Sequence, residues 1–315
     1  MRAKHMRMAL LCAALALPVC AHAAPRDVTI VDSQVYPESL TDDATDRLYT
    51  GSLQGIIYRA EPGADKATAW IKPDDTNKLL WVLGVLADDK RNTLWVCTSP
   101  APFRDPPALG DAAVVAFNLK TGAFKARYPL PAPPSACNDI TVAKDGTLFV
   151  AETSNGRIFT IAPGAKAVSL FVEDKALLVG VDGIAFSESG TLYVNNVRQN
   201  TMLRVNRGAK GEYQGLTKLE VSASLNGPDG LRLYKGNSFF QAEAPAEKLT
   251  LVTITGDKAQ VKVIDEQNGG SAGVARVGKT VYTAAGKISY LFDPKLKGQD
   301  PGPFVIRAIP FEGVK

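Results

Sequence analysis

Residues 140–150 read ITVAKDGTLFV: an apolar run Ile140-Thr141-Val142, a turn Lys144-Asp145-Gly146, then Leu148-Phe149-Val150 with a ring at its centre. Residues 183–194, GIAFSESGTLYV, repeat that order with Ser187-Glu188-Ser189-Gly190 as the turn and Tyr193 as the ring. The same triplet recurs as Leu48-Tyr49-Thr50, Leu94-Trp95-Val96, Phe239-Phe240 and Val281-Tyr282-Thr283, at ring spacings of 46, 54, 44, 46 and 43 residues. A third strand follows each triplet, as in Arg157-Ile158-Phe159-Thr160-Ile161. Short period-two strands and Gly-rich turns repeating every ~45 residues are the pattern of a β-propeller. Six units predict an all-β, six-bladed β-propeller. A two-sheet sandwich also alternates strands and turns, but it gives no reason for a six-fold ring register. Long helical patterns are nearly absent, which removes Rossmann-like and TIM-barrel readings. Segments 27–31 and 304–311 are both strand-like, and one of them is expected to complete the last blade and hide its edge.

The ends and the composition narrow the function. Arg2, Lys4 and Arg7 precede an apolar run over residues 8–19, and Ala21-His22-Ala23 offers small residues for cleavage. Residues 1–23 are therefore expected to be a secretory signal peptide, with residues 24–315 forming a single propeller domain that is periplasmic or secreted. The whole chain carries a net charge of +4. The leader holds three basic residues and no acidic one, so the mature chain is left near +1. That balance removes the electrostatic case for nucleic acid. With 45% hydrophobic residues, such a chain can bury a core. No mature segment reaches 18 uninterrupted apolar residues, so no membrane span is expected. Both histidines, His5 and His22, lie in the leader, which excludes Ser-His-Asp, Cys-His and histidine-zinc chemistry from the mature chain.

In a propeller the first strand of each blade lines the central channel, so residues at its start meet at one mouth. Eleven positions before the ring stand Glu38 (from Tyr49), Asn138 (from Phe149) and Asp182 (from Tyr193), and Asp229 stands ten before Phe239 or eleven before Phe240. The two remaining blades place Gly84 and Ser271 there. Asp and Asn beside Gly are common turn residues, and each of the four alone reads that way. Together, at one offset, they read as a metal site: three converging carboxylates repel one another unless protonated or neutralised. Carboxylates with an amide carbonyl suit a hard divalent cation, Ca2+ first, with Mg2+, Mn2+ or Zn2+ as alternatives.

Pro37-Glu38-Ser39, Asn138-Asp139, Val181-Asp182-Gly183-Ile184-Ala185-Phe186 and Pro228-Asp229-Gly230 resemble the blade motifs of the senescence marker protein / gluconolactonase / regucalcin family. The resemblance spans nearly the whole mature chain. It implies a six-bladed propeller with a divalent ion in the channel and a lactone-hydrolysing activity. It places Glu38, Asp182 and Asp229 as metal ligands and Asn138 as the amide beside metal and substrate. Asp182 stands where the family has Asn, and Ala136 where it often has Arg two residues before the amide. The expected function is a metal-dependent hydrolase of a lactone or related ester, with Asp229 as general base and Asn138 orienting substrate. The competing reading is a non-catalytic secreted propeller that binds a small ligand or a protein partner. A strictosidine synthase-like condensing enzyme ranks third, because three registered carboxylates suit a metal better than an amine. A monomer is expected.

Pro-rich stretches 100–107 and 129–134 read either as a stiff rim over that mouth or as ordinary connections. Glu152, Asn195, Asn196 and Glu243, at strand ends returning to the same face, are weaker candidates for substrate contact. Cys97 and Cys137 fall near this rim on neighbouring blades, where a disulfide and free thiols are both open. Gly269-Gly270-Ser271-Ala272-Gly273 matches the hydrolase pattern G-x-S-x-G but lacks the strand-turn-helix setting and any histidine, so it reads as a blade connection.

Overall fold

The computed structural model describes residues 26–131, 133–267 and 269–313. The expected signal peptide, residues 1–23, lies outside them. Each ring-centred triplet lies in the second strand of a four-stranded antiparallel meander. In the third unit, Cys137–Val142 pairs with Leu148–Glu152, which pairs with Arg157–Ile161 and then Ser169–Glu173. The fourth unit repeats this order from Val181–Phe186 to Tyr213–Lys218. The second runs from Trp81–Asp88 to Phe124–Pro129, and the fifth from Pro228–Lys235 to Lys258–Glu266 with Glu220–Val221 added at its outer edge.

The first and sixth units are joined in one eight-stranded sheet. The first spans Leu40–Asp42 to Lys66–Ile71, and the sixth is built from Ser271–Val277, Thr280–Ala285, Phe304–Pro310 and Val28–Ile30. Both terminal segments, not one, therefore complete the last unit: Val28–Ile30 pairs antiparallel with Phe304–Pro310 and continues, in parallel, onto Lys66–Ile71. The chain ends thereby close the ring and cover edges that would otherwise present unpaired backbone.

The first strands of the six units pack side by side in cyclic order, from Leu40–Asp42 round to Ser271–Val277 and back. They enclose the central channel of a β-propeller. The core lies between adjacent units, where Tyr49, Phe149, Phe239 and Phe240 are buried in the middle strands. Large flat rings suit this wedge-shaped space because they fill much volume with few rotatable bonds. Among the described residues no helix is long and apolar enough to cross a membrane.

Candidate metal centre

Each inner strand except the first slips register with its neighbour where it enters the channel. The shifts fall between Val82 and Val85, Cys137 and Ile140, Val181 and Ile184, Pro228 and Leu231, and Ser271 and Gly273. Extra residues of this kind leave the ladder and turn side chains away from the regular alternation. Asn138, Asp182 and Asp229 are the residues freed this way, and Glu38 sits two residues before the first unit's inner strand begins.

Glycines permit the crowding. A Cβ on Gly183 would collide with the Asp229 carbonyl, and one on Gly230 with the Ala272 carbonyl, each on the next unit. Side chains at the ends of three second strands then stitch one unit to the next. Ser99 Oγ donates to Cys137 O (3.0 Å), Thr153 Oγ1 to Val181 O (2.7 Å) and Asn195 Nδ2 to Asp229 O (2.5 Å).

Carboxylate oxygens of Glu38, Asp182 and Asp229 lie within 4.8 Å of one another. Glu38 and Asp182 are buried and Asp229 is half-buried. Asn138 joins them, its Nδ2 donating to Asp182 Oδ2 (2.9 Å) and to Thr153 Oγ1 (2.9 Å). The structure thus brings the four registered polar residues into one cluster. Burial, and then the charge of Asp182, hold the carboxyls of Glu38 and Asp229 well above the usual carboxylate range. Asp182 is pushed up to about 7, by burial first and the neighbouring Asp139 charge next. Three acids that resist ionisation in one place form a site short of positive charge.

Beneath the cluster lies a pair that the sequence reading missed. Arg232 reaches across the channel to Asp139 with Nη1 to Oδ2 at 2.7 Å and Nη2 to Oδ1 at 3.0 Å. Arg232 Nη2 also donates to Ser39 Oγ (3.2 Å) and to Val85 O (3.2 Å), and Ile184 N donates to Asp139 Oδ2 (3.2 Å). Burial alone would lower the guanidinium's pKa, but Asp139 and the charges of Glu38 and Asp42 together raise it. The Arg232–Asp139 pair thereby ties together five units, yet its one cation faces four acids. The signal in the sequence was a charged residue inside an otherwise apolar inner strand, Gly230-Leu231-Arg232-Leu233.

The weaker substrate candidates have other partners. Glu152 is fully buried, accepts from the backbone N–H groups of Ala136, Ser154 and Asn155, and pairs with Arg157 at 2.8 Å. Asn195 accepts from Gly183 N (2.8 Å) while holding Asp229 O, so it braces two ligand-bearing bulges. Asn196 caps the Leu177 and Val179 carbonyls, and Glu243 accepts from Asn226 N (2.8 Å). All four hold backbone in place. Ser271 donates to Gly273 O (2.7 Å) at the start of an inner strand, in no nucleophile elbow. Cys97 and Cys137 form a disulfide between the second and third units, with Cα atoms 5.1 Å apart.

A cavity of about 760 Å³ opens at the opposite mouth, where Ile140, Ile184, Leu231 and Phe186 line the ends of the inner strands. Volume and chemistry are therefore at different ends. Side chains from four units converge at the carboxylate end.

No family model matches the chain, and no curated protein does. Among solved structures the fold is similar to the major Malassezia sympodialis allergen Mala s 1 (15% identity over 93% of this chain and 99% of that one, TM-score 0.70). A luciferin-regenerating enzyme is similar at 15% identity over 92% and 98%, with a TM-score of 0.61. Virginiamycin B lyase from Staphylococcus aureus is similar at 15% identity over 82% and 94%, with a TM-score of 0.55. These likenesses establish the fold alone.

Proposed function

We propose that the protein is a divalent-cation-dependent hydrolase of a lactone or related ester, in the manner of the senescence marker protein / gluconolactonase / regucalcin family. The observation that carries the reading is the convergence of Glu38, Asp182 and Asp229 with Asn138 at one mouth. Four acids facing one guanidinium fit a doubly charged ion with oxygen preference, Ca2+ foremost. Glu38, Asp182 and Asp229 would hold it, with Asn138 fixing the Asp182 carboxylate. A bound cation supplies positive charge that polarises a substrate carbonyl and offsets the carboxylates.

The chain's own groups do the rest. Asp229, the most open of the three acids, takes a proton from water as the water oxygen bonds to the carbonyl carbon. The acyl carbon–oxygen bond then breaks, and the ring oxygen leaves with a proton as the alcohol of a hydroxy acid. Asn138 has both Nδ2 bonds committed to Thr153 and Asp182, so it acts by holding the acid's orientation. Two of the similar structures are named as enzymes, so this fold hosts catalysis in other chains.

A lactone panel assayed with chelator and after restoring Ca2+ tests the reading. Hydrolysis should vanish and return, and Asp229→Ala should cost at least ~10²-fold. Turnover that ignores the chelator would remove the mechanism, and tight ligand binding without turnover would select a binding protein instead.

A further inference from the structure

We infer that an aromatic ridge at the carboxylate mouth is the subsite for an apolar substituent of the substrate, so that alkyl or aryl lactones and esters are preferred over polyhydroxylated ones. Trp81 opens the second unit's inner strand. Phe103 lies in the loop joining that unit's second and third strands, and Phe292 ends the short helix Ser289–Phe292 in the corresponding loop of the sixth. Second strands run back toward the carboxylate mouth, so both loops emerge there. The rings meet edge to face, Trp81 to Phe103 at 5.4 Å and Phe103 to Phe292 at 4.9 Å between centroids. The second and sixth units thus touch across the first, which carries Glu38. Two contacts set the ridge over that entrance. Arg104 Nη1 donates to Leu53 O of the first unit (3.2 Å), and Gly286, at the root of the other loop, lies against the Pro37 carbonyl.

The ridge is not buried by this packing. Phe103 remains 44% exposed, Phe292 54% and Leu109, on the same loop, 70%. The Trp81 indole N–H is buried without a hydrogen-bond partner among the described residues. Apolar surface kept in water beside a candidate site marks recognition, because covering it is favourable.

The chemistry rests on the hydrolase reading, but the binding does not. γ-Decalactone and γ-butyrolactone, titrated by tryptophan fluorescence into the chelated protein, separate the two. The longer lactone should bind on the order of tenfold tighter, from partial burial of its hexyl chain. Phe103→Ser/Phe292→Ser should bring that ratio toward one, while Leu170→Ser, an exposed apolar residue on an outer strand, should keep it. Should the double variant lose its thermal transition, Phe292→Ser alone should still reduce the ratio. A ratio near one in the unaltered protein, or one indifferent to both Phe changes, overturns the subsite. Preference without hydrolysis once Ca2+ is restored keeps the subsite and removes the hydrolase. Hydrolysis without preference does the reverse.

Discussion

At one end of the channel Glu38, Asp182, Asp229 and Asn138 crowd together. A few residues further along the same strands, Ile140, Ile184 and Leu231 line an open cavity of about 760 Å³. The bulges make the difference. Where register slips in the third, fourth and fifth units, consecutive residues leave the ladder and Asn138, Asp182 and Asp229 are delivered into the channel. Beyond the slip, regular alternation resumes and the strands bury apolar groups as an ordinary sheet does. Arg232 and Asp139 mark the boundary. The acids are thus held against a charged floor, while the other end has room without convergent chemistry.

Breaking the floor should have the largest effect on stability. Arg232→Met would leave Asp139 buried and unpaired, which costs about 3–5 kcal/mol. Chemical denaturation should show that loss. A neutral outcome would mean that the two ends are not divided by this pair. The next effect should come from the disulfide between the second and third units. Cys97→Ser should cost about 2–4 kcal/mol, since the bond closes a loop of 40 residues. It should leave the carboxylate end able to bind its cation once refolded. Equal loss of binding and stability would show that the bulge carrying Asn138 depends on Cys137.

The acids should also give the chelated protein a distinctive pH profile. Glu38, Asp182 and Asp229 hold protons more tightly when folded than when unfolded. Between the ordinary carboxylate range and about 7, where Asp182 titrates, the folded chain therefore binds more protons than the unfolded one. Stability without cation should fall as pH rises through that window, by roughly 1.4 kcal/mol per pH unit for each proton concerned. Saturating Ca2+ should flatten or reverse the slope, since the ion replaces the protons. Denaturation midpoints from pH 4 to 8, with and without chelator, check this, and identical profiles would argue against an uncompensated cluster.

The fold was legible because each unit repeats a ring in its second strand, and Tyr49, Phe149, Tyr193 and Phe240 lie in second strands as expected. The carboxylates were legible for a related reason: the start of the inner strand recurs at one place in the repeat, with a bulge in every unit but the first, so a fixed offset from the ring finds Glu38, Asn138, Asp182 and Asp229. The Asp139–Arg232 pair obeys no such offset. Its partners are 93 residues apart and meet only because the ring closes. Glu152, Asn195, Asn196 and Glu243 stand at strand ends where the repeat puts them, and each is also bonded to nearby backbone. A one-dimensional pattern reports height in the channel, and it does not show that nearby backbone N–H and C=O groups consume the polar atoms. Thr153 escaped notice because a hydroxyl at a strand end is common, and only the approach of Asn138 and the Val181 carbonyl gives it a role.

The smallest effect should come from the cavity end. Lys144 sits in the hairpin turn between the third unit's first two strands, exposed at the rim of the cavity. It is a charged group of the channel, so one could expect its removal to alter the pull on a cation. Distance and solvent argue otherwise. An exposed ammonium is screened within about 8–10 Å at ordinary ionic strength, whereas the acids are buried behind the Asp139–Arg232 pair. Lys144→Ala should therefore leave cation affinity and hydrolysis unchanged within error, even at low salt. A tenfold shift in either, read by titration calorimetry and by the lactone assay, would show that the charges of both mouths act as one field and that Arg232 does not insulate them.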